Sequence, residues 1–146
     1  MRKLKINKLF QPCVVDVNDE LYPNGVFIFN ITKLQNFIAA NKDKFQVEYI
    51  SVSSIPKYTS SNINEDTVKN ANLTSPIILA ETSPSRFNVI DGNHRLEKAF
   101  RDGHQTIPAY RVMVEQHIAF LTTKTGYQSY IGYWNKKVKE LQRELI

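Results

Sequence analysis

The stretch VIDGNHRLEKAFRDG, Val89–Gly103, decides the fold prediction. It reads as a strand end, a tight turn and a helix. Asp91-Gly92 is a typical turn pair, because glycine adopts a positive φ without steric cost. Three apolar residues recur at the spacing of a buried helix face, and the last glycine of the stretch suits the helix end. These apolar residues are Leu96, Ala99 and Phe100.

The turn and the first helical residues also predict an anion site. A helix N-terminus presents N–H groups without intrahelical acceptors and a partial positive charge, which together suit a phosphate. The planar guanidinium of Arg95 could bind two phosphate oxygens, and His94 could donate to the same anion. The alternative is an ordinary turn followed by a surface arginine. The candidate binding residues are Gly92, Asn93, His94 and Arg95.

The motif resembles the signature of the ParB amino-terminal/sulfiredoxin superfamily. The resemblance rests on Asp91-Gly92-Asn93-His94-Arg95, followed by Glu97, Ala99, Gly103 and Ile107-Pro108. It covers residues 69–112 well, the preceding part loosely and the last third not at all. It implies a small α/β nucleotide-binding domain whose phosphates lie at the Gly92–Arg95 helix start.

Two branches of this superfamily fit the sequence less well. Sulfiredoxins need a reactive cysteine immediately before the histidine, where this chain has Asn93, and Cys13 is far away in sequence. Chromosome-partitioning ParB proteins carry a helix-turn-helix domain after the nucleotide domain. Only about thirty residues follow the strand that ends at Val112, too few for that module and a dimerisation segment. The turn is most similar to the free-serine-kinase branch, which reads Asp-Gly-x-His-Arg.

That branch implies phosphoryl transfer from ATP or ADP to a small hydroxyl compound, with Mg²⁺ holding the nucleotide; CTP is a further candidate. An acidic residue acts there as the base on the acceptor hydroxyl. Asp91 is our candidate for the base or the metal contact, although it could simply cap the turn. His94 is assigned to the catalytic group with it, and Glu65 and Glu48 are alternative candidates for the base.

Two other function classes stay open at this point. The first is a non-catalytic module that binds a nucleotide or a protein partner as a regulator, toxin or immunity component, because a fold does not fix a function. The second is a ParB-like nuclease or DNA-associated protein. The single motif could host one metal ion, but the sequence offers no clear second acidic cluster. Nucleic acid is therefore a less favoured partner than a nucleotide.

Composition sets the remaining limits. The 146 residues carry a formal net charge of +5, which mildly favours anionic partners. One cysteine excludes an intrachain disulfide and a cysteine-based metal cluster. No apolar run approaches the roughly 18 residues that span a bilayer, and no apolar signal-peptide core follows the basic start. We therefore expect a cytoplasmic protein without a membrane partner.

Hydrophobic patterning predicts an α/β (α+β) fold, in which helices pack on one small mixed sheet. We expect a single domain over residues 1–146, with an N-terminal elaboration over 1–46, a ParB/sulfiredoxin-like core over 47–113 and a helical extension over 114–146. A hairpin loop is predicted at 81–85, and a polar loop at 59–62. The predicted sheet strands are Val47–Val52, Ile77–Ala80, Arg86–Ile90 and Ala109–Val112.

Outside that sheet we predict a strand at Cys13–Val15, a turn at Tyr22–Gly25 and a strand at Val26–Phe29. Asn30 and Asn64 are predicted to cap two helices. Val114–Leu121 is expected to be helical, with His117 structural or exposed rather than a metal ligand. A longer amphipathic helix should run from about Tyr127 to the chain end. Its apolar stripe is Tyr130, Trp134, Val138, Leu141 and Leu145.

Overall fold

The computed structural model describes residues 2–56 and 63–145, so the loop predicted at 59–62 lies outside the described residues. Within these ranges the chain is mixed α/β. Short 3₁₀ turns cover Val52–Ser54 and Ile118–Phe120. The strands are β1 Leu21–Asn24, β2 Phe27–Asn30, β3 Glu48–Ser51, β4 Ile77–Ser83, β5 Arg86–Asp91 and β6 Thr106–Val112; the helices are α1 Ile31–Ala40, α2 Glu65–Lys69, α3 Asn93–Arg101, α4 Val114–His117 and α5 Lys124–Glu144.

The main sheet has the strand order β3-β6-β4-β5. β4 runs parallel to β6 and antiparallel to β5, while β3 runs antiparallel to β6. The four strands predicted for a single mixed sheet are thereby confirmed. β4 is central and almost entirely buried, as expected for a continuous apolar run with both faces covered.

The hairpin between β4 and β5 is tighter than the predicted loop over 81–85. β4 extends through Ser83, so only Pro84 and Ser85 separate the two strands. Ser85 adopts a φ of 62°, which lets the chain reverse in two residues. The extension has a physical reason: the carboxylate of Glu81 is buried and accepts hydrogen bonds, so this polar residue belongs to the sheet.

Two apolar cores lie on the two faces of the main sheet. Ile78 and Ala80 of β4 belong to one core, whereas Ile77 and Leu79 belong to the other, as the alternation of a strand requires. The larger core combines α1, α5 and β2 with the sheet and includes Trp134. The smaller core holds α3 against the opposite face. The larger core therefore contains residues from 1–46, 47–113 and 114–146, the three segments predicted from the sequence.

Both predicted helix caps are present. The side chain of Asn30 accepts from the N–H of Lys33 at 3.1 Å at the start of α1. The side chain of Asn64 accepts from the N–H of Thr67 at 3.0 Å at the start of α2. These bonds satisfy N–H groups that the helices cannot satisfy internally.

The C-terminal helix begins earlier than predicted and its buried stripe is shorter. α5 starts at Lys124, because Thr123 accepts from the N–H of Gly126 and caps it. Tyr130, Trp134 and Val138 are buried, but Leu145 is 76% exposed. The stripe therefore ends about two turns before the helix does, where α5 runs past the core.

Other predictions about the elements were wrong. Phe100 is 53% exposed, since Leu96 and Ala99 alone face the sheet and Phe100 lies at the edge of that face. Cys13–Val15 is not a strand; a single backbone bond links Cys13 to Leu121. Of the turn predicted at Tyr22–Gly25, Tyr22–Asn24 lies in β1, because it pairs with β2, and Gly25 lies in the turn between the two strands. The helix expected at Val114–Leu121 is α4 followed by a 3₁₀ turn.

No helix in the described ranges is both long enough and apolar enough to cross a membrane.

Candidate functional site

A cleft of about 740 Å³ opens where β5 ends and α3 begins. Its walls come from three parts of the chain that are distant in sequence: the segment before and within β1, the helix α2 with the loop after it, and the β5–α3 turn. Asp91, Gly92, Asn93, His94 and Arg95 all line it, so the structure brings the whole predicted motif to one concave surface. The other lining residues are Glu20, Leu21, Tyr22, Asp66, Thr67, Asn70, Ala71, Asn72, Ser75 and Ile90.

Gly92 fixes the direction in which α3 starts. Its φ is 102°, a left-handed backbone conformation that residues other than glycine rarely adopt. A Cβ at this position would press on Ile77 of β4, lying 2.9 Å from its Cβ, and would lie 3.0 Å from Nη2 of Arg95. The absence of a side chain therefore permits both the turn and its close packing on the sheet.

The first turn of α3 presents backbone N–H groups without acceptors. The first intrahelical bond runs from the N–H of Leu96 to the carbonyl of Gly92 at 2.9 Å. The N–H groups of residues 93–95 precede that bond, and none of them donates to another residue of the described part of the chain. Since these three residues line the cleft, their N–H groups are the kind of donors that bind phosphate at helix starts.

Arg95 is more heavily engaged than the sequence predicted. Its Nη1 donates to the carbonyl oxygens of Ser75 at 3.2 Å and Pro76 at 3.1 Å. Its Nη2 lies 3.1 Å from Oδ2 of Asp91 in an ion pair that is mostly shielded from solvent. Arg95 therefore joins the loop after α2 to the β5–α3 turn. Its Nε–H and the second N–H of Nη2 have no partner in the described part of the chain, so a two-oxygen contact with a phosphate requires no present partner to be released.

Asp91 is held from two sides. Besides the ion pair with Arg95, its Oδ2 accepts from Nε2 of Gln35 on α1 at 2.8 Å. The hydrogen bond and the ion pair involve the same carboxylate oxygen. Oδ1 has no hydrogen-bond partner in the described part of the chain, so it is the oxygen available to a ligand.

His94 is anchored by its ring. Nε2 accepts from the N–H of Asn64 at 3.2 Å, just before α2 begins. With Nε2 as the acceptor, the neutral imidazole carries its proton on Nδ1. His94 thus links α3 to the start of α2 and keeps one N–H donor for a ligand in the cleft.

Glu20 is a cleft residue that sequence reasoning missed. Its N–H donates to Oγ1 of Thr32 and its carbonyl accepts from the N–H of Ile31, both at 2.8 Å, so the start of α1 fixes its position. Partial burial raises the pKa of the Glu20 carboxyl, and the negative charge of Asp91 raises it further, while Arg95 opposes both. No motif or periodic pattern surrounds Glu20, so only the tertiary structure reveals it.

The two alternative candidates for the base lie outside the cleft lining. Glu65 forms an ion pair with Arg101, with Oε1 3.0 Å from Nη2, and the hydrogen bond from Arg101 lowers the pKa of its carboxyl. Glu48 lies on β3 and pairs with Arg111 at 3.1 Å. The structure therefore unites Asp91 and His94 with the binding residues but places Glu65 outside the cleft lining, where it contacts Arg101 of α3.

The charges in the cleft do not favour a bare anion. Among the described residues, three carboxylates line it, those of Glu20, Asp66 and Asp91, against one guanidinium, that of Arg95. No group of three or more potential metal ligands occurs in the ranges that the structure describes. Mg²⁺ is commonly bound by one or two carboxylates together with substrate phosphates. The donor set thus fits Mg²⁺ only when a ligand supplies the remaining oxygens.

Comparison with known proteins adds no assignment. No protein-family model matches this chain, and no curated protein matches it. The resemblance of Asp91–Arg95 to the ParB amino-terminal/sulfiredoxin superfamily therefore stays a prediction from the motif.

Proposed function

We propose that the cleft binds a nucleotide, ATP, ADP or CTP, together with Mg²⁺, with its phosphates at the first turn of α3. One observation carries this proposal. Gly92 turns the chain so that residues 93–95, whose N–H groups have no partner among the described residues, line a cleft of about 740 Å³. Pockets of this size suit a ligand as large as a nucleotide, and fixed N–H donors at a helix start suit its phosphates.

The cleft's charges support a metal-bound nucleotide over a free one. A triphosphate would meet Glu20, Asp66 and Asp91, and this repulsion is not balanced by Arg95, whose Nη2 already pairs with Asp91. Bound Mg²⁺ supplies positive charge that offsets the repulsion between carboxylates and phosphates. Asp91 would hold it through the oxygen that Gln35 and Arg95 leave unbound.

Arg95 would bind a phosphate at the start of α3 through Nε and the second hydrogen of Nη2, while Nη1 keeps its bonds to Ser75 and Pro76. Charge-assisted bonds of this kind contribute about 1.5–3 kcal/mol, which corresponds to about ten- to a hundred-fold in affinity. Arg95→Ala should therefore weaken binding within that range, provided that the variant remains folded.

Isothermal titration calorimetry tests the binding proposal directly. ATP, ADP, CTP and GTP are titrated into the protein with and without Mg²⁺. Measurable binding that requires Mg²⁺ is expected, and Asp91→Asn should remove most of the Mg²⁺ dependence. Glu48→Gln is the matched control, since it also removes one carboxylate but lies outside the cleft lining. No heat with any nucleotide, or equal losses in both variants, would contradict the proposal.

A second candidate function is phosphoryl transfer from the bound nucleotide to a small hydroxyl compound. The observation that favours it is the position of Glu20, a carboxylate residue of the cleft lining whose backbone is fixed by the start of α1. The raised pKa of Glu20 is in the direction that suits a proton acceptor. Transfer needs positioning and charge neutralisation more than a specialised nucleophile. Here the Glu20 carboxylate would take the proton from the hydroxyl group of the small compound, while His94 and the N–H groups of α3 orient the phosphates.

Phosphorus NMR distinguishes transfer from binding alone. The protein is incubated with ATP or ADP, Mg²⁺ and a panel of hydroxyl acceptors that includes free serine. A new phosphoester signal supports transfer. Nucleotide binding without consumption of the nucleotide supports the alternative, a regulatory, toxin or immunity-type module with the same cleft.

A further inference from the structure

The positive charge of this protein is concentrated on two adjacent elements. Residues 2–15 contain four cationic side chains and no acidic one, and α5 contains five cationic and two acidic ones. Together these segments carry a formal charge of +7, although the whole chain carries only +5. The remainder of the molecule is therefore net negative, with a formal charge of −2.

The first segment lies along α5. The side chain of Asn135 binds both backbone groups of Leu4, at 2.8 Å and 2.9 Å, and Nε1 of Trp134 donates to the carbonyl of Arg2 at 2.9 Å. Farther along, the N–H of Asn7 donates to the Tyr127 hydroxyl at 2.9 Å. Leu4 contacts Asn135, whereas the later residue Asn7 contacts the earlier helix residue Tyr127. The segment therefore runs antiparallel to α5.

These contacts place the cationic residues of both elements along the length of α5. On α5, spacings of three and four residues place Lys136, Lys139 and Arg143 on one face. Lys139 is one turn after Asn135, so the first segment starts beside this face and runs away from it toward Tyr127. We call the combined set the basic surface: Lys3, Lys5, Lys8, Lys136, Lys139 and Arg143.

All six side chains of the basic surface are exposed, and none forms an ion pair within residues 2–56 and 63–145. By contrast, Lys137 on the same helix pairs with Glu140 at 3.3 Å and lies over the ring of Tyr133. Unpaired, solvated cations spaced along a rigid helix suit a partner that carries a regular array of negative charges.

We propose that the basic surface binds the phosphate backbone of a nucleic acid duplex. The 21 residues of α5 span about 30 Å, close to one turn of B-DNA. The apolar face of α5 is buried in the core and so cannot insert into a lipid surface, which makes a duplex the better match than an anionic membrane. Lysine contacts to phosphates position a duplex without reading its sequence.

This site is separate from the cleft, whose lining includes no residue of the basic surface. The proposal therefore does not depend on nucleotide binding. The carboxylates of the cleft would repel the phosphates of a duplex. The proposed nucleotide and the proposed duplex therefore bind at different places on the molecule.

Fluorescence anisotropy of a labelled duplex of about 24 base pairs tests the proposal, with salt varied from about 50 to 200 mM. If six phosphates are contacted, the slope of log affinity against log salt should be about −5. Lys136→Gln/Lys139→Gln should make that slope about two units shallower. Lys42→Gln/Lys44→Gln, which removes two exposed lysines outside the basic surface, should leave it unchanged.

Two further measurements complete the test. Unchanged circular dichroism and an unchanged urea-unfolding midpoint of the Lys136→Gln/Lys139→Gln variant would show that the loss is specific to the basic surface. Absence of duplex binding, equal losses in the two lysine variants, or binding only to vesicles that contain phosphatidylserine would each overturn the proposal.

Discussion

Arg2 and Glu81, 79 positions apart, are joined by a 2.9 Å hydrogen bond that closes the first segment over the sheet. Glu81 is only 2% exposed, and its carboxylate also accepts from the N–H groups of Val114 and Ser85. Arg2 additionally bonds to Glu115 and lies 5.2 Å over the ring of Trp134. A buried carboxylate at the far end of β4 is thus neutralised by the chain's second residue.

Arg2→Ala should destabilise the protein by about 1–3 kcal/mol, because it leaves the buried carboxylate of Glu81 without its counter-charge. Two backbone donors remain on Glu81 and Arg2 itself is partly solvated, so the loss should stay below that of a fully buried pair. Urea unfolding measures it. The matched control Lys3→Ala removes a neighbouring exposed cation and should change stability little. In Glu81→Gln, the added Arg2→Ala substitution should cost less, and an equal cost would contradict the electrostatic explanation.

Gly92→Ala should destabilise the protein by about 1–3 kcal/mol, because the new Cβ meets Ile77 and the backbone must keep a positive φ. Gly25→Ala is a well-matched control. Gly25 also has a positive φ, of 61°, but a Cβ there meets nothing within 4 Å, so only the backbone strain remains. Thermal unfolding should show a larger loss for Gly92→Ala. Equal losses would mean that packing on Ile77 contributes nothing.

The sequence predicted the β4–β5–α3–β6 unit because the signals for these elements are local. Continuous apolar residues mark β4, Asp91-Gly92 marks the turn, and Leu96 with Ala99 marks the buried face of α3. The motif residues of the cleft could be found for the same reason, since they are contiguous. Local signals cannot show that Phe100 lies at the exposed edge of the buried face of α3, because its exposure depends on how α3 packs on the sheet.

Glu20 and Arg2 show what the sequence could not predict. Each acts through a partner far along the chain, Glu20 beside Asp91 and Arg2 on Glu81. Single charged residues in an irregular segment carry no periodicity, and their pairing is decided by tertiary packing. The engagement of Arg95 with Ser75 and Pro76 was hidden in the same way, because carbonyl acceptors have no sequence signature.

His117 predicts how stability depends on pH. The ring is fully buried, Nε2 contacts the carbonyl of Glu81 at 2.7 Å, and Nδ1 has no partner among the described residues. Burial lowers the pKa of His117 from 6.5 to about 4. Between these values the unfolded chain binds the proton and the folded one does not, so stability falls as pH falls through this window.

His117→Gln should remove this part of the acid sensitivity. Lowering the pH from about 7 to about 5 should cost the wild type about 2 kcal/mol through His117 alone, and the variant should lack that loss. Urea unfolding at both pH values measures the difference. Carboxylates that pair in the folded state add their own acid loss in both proteins, so the comparison between the two isolates the histidine. Parallel losses would show that folding does not lower the pKa of His117.

Glu20 and Asp91 give a prediction about coupling within the cleft. The negative charge of Asp91 contributes to the raised pKa of Glu20, while Arg95 lowers it. Asp91→Asn removes the repulsion and releases Arg95 from its ion pair, and both changes favour the ionised form of Glu20. The pKa of Glu20 should therefore fall, and carbon NMR titration of the labelled carboxyl measures it. In Glu65→Gln, which alters a carboxylate outside the cleft lining, the pKa of Glu20 should not change.

If Glu20 is also the base in phosphoryl transfer, Glu20→Gln should abolish turnover while leaving Mg²⁺-nucleotide binding measurable. Retained turnover in that variant would assign the base elsewhere, and an unchanged pKa in Asp91→Asn would show that the two carboxylates act independently.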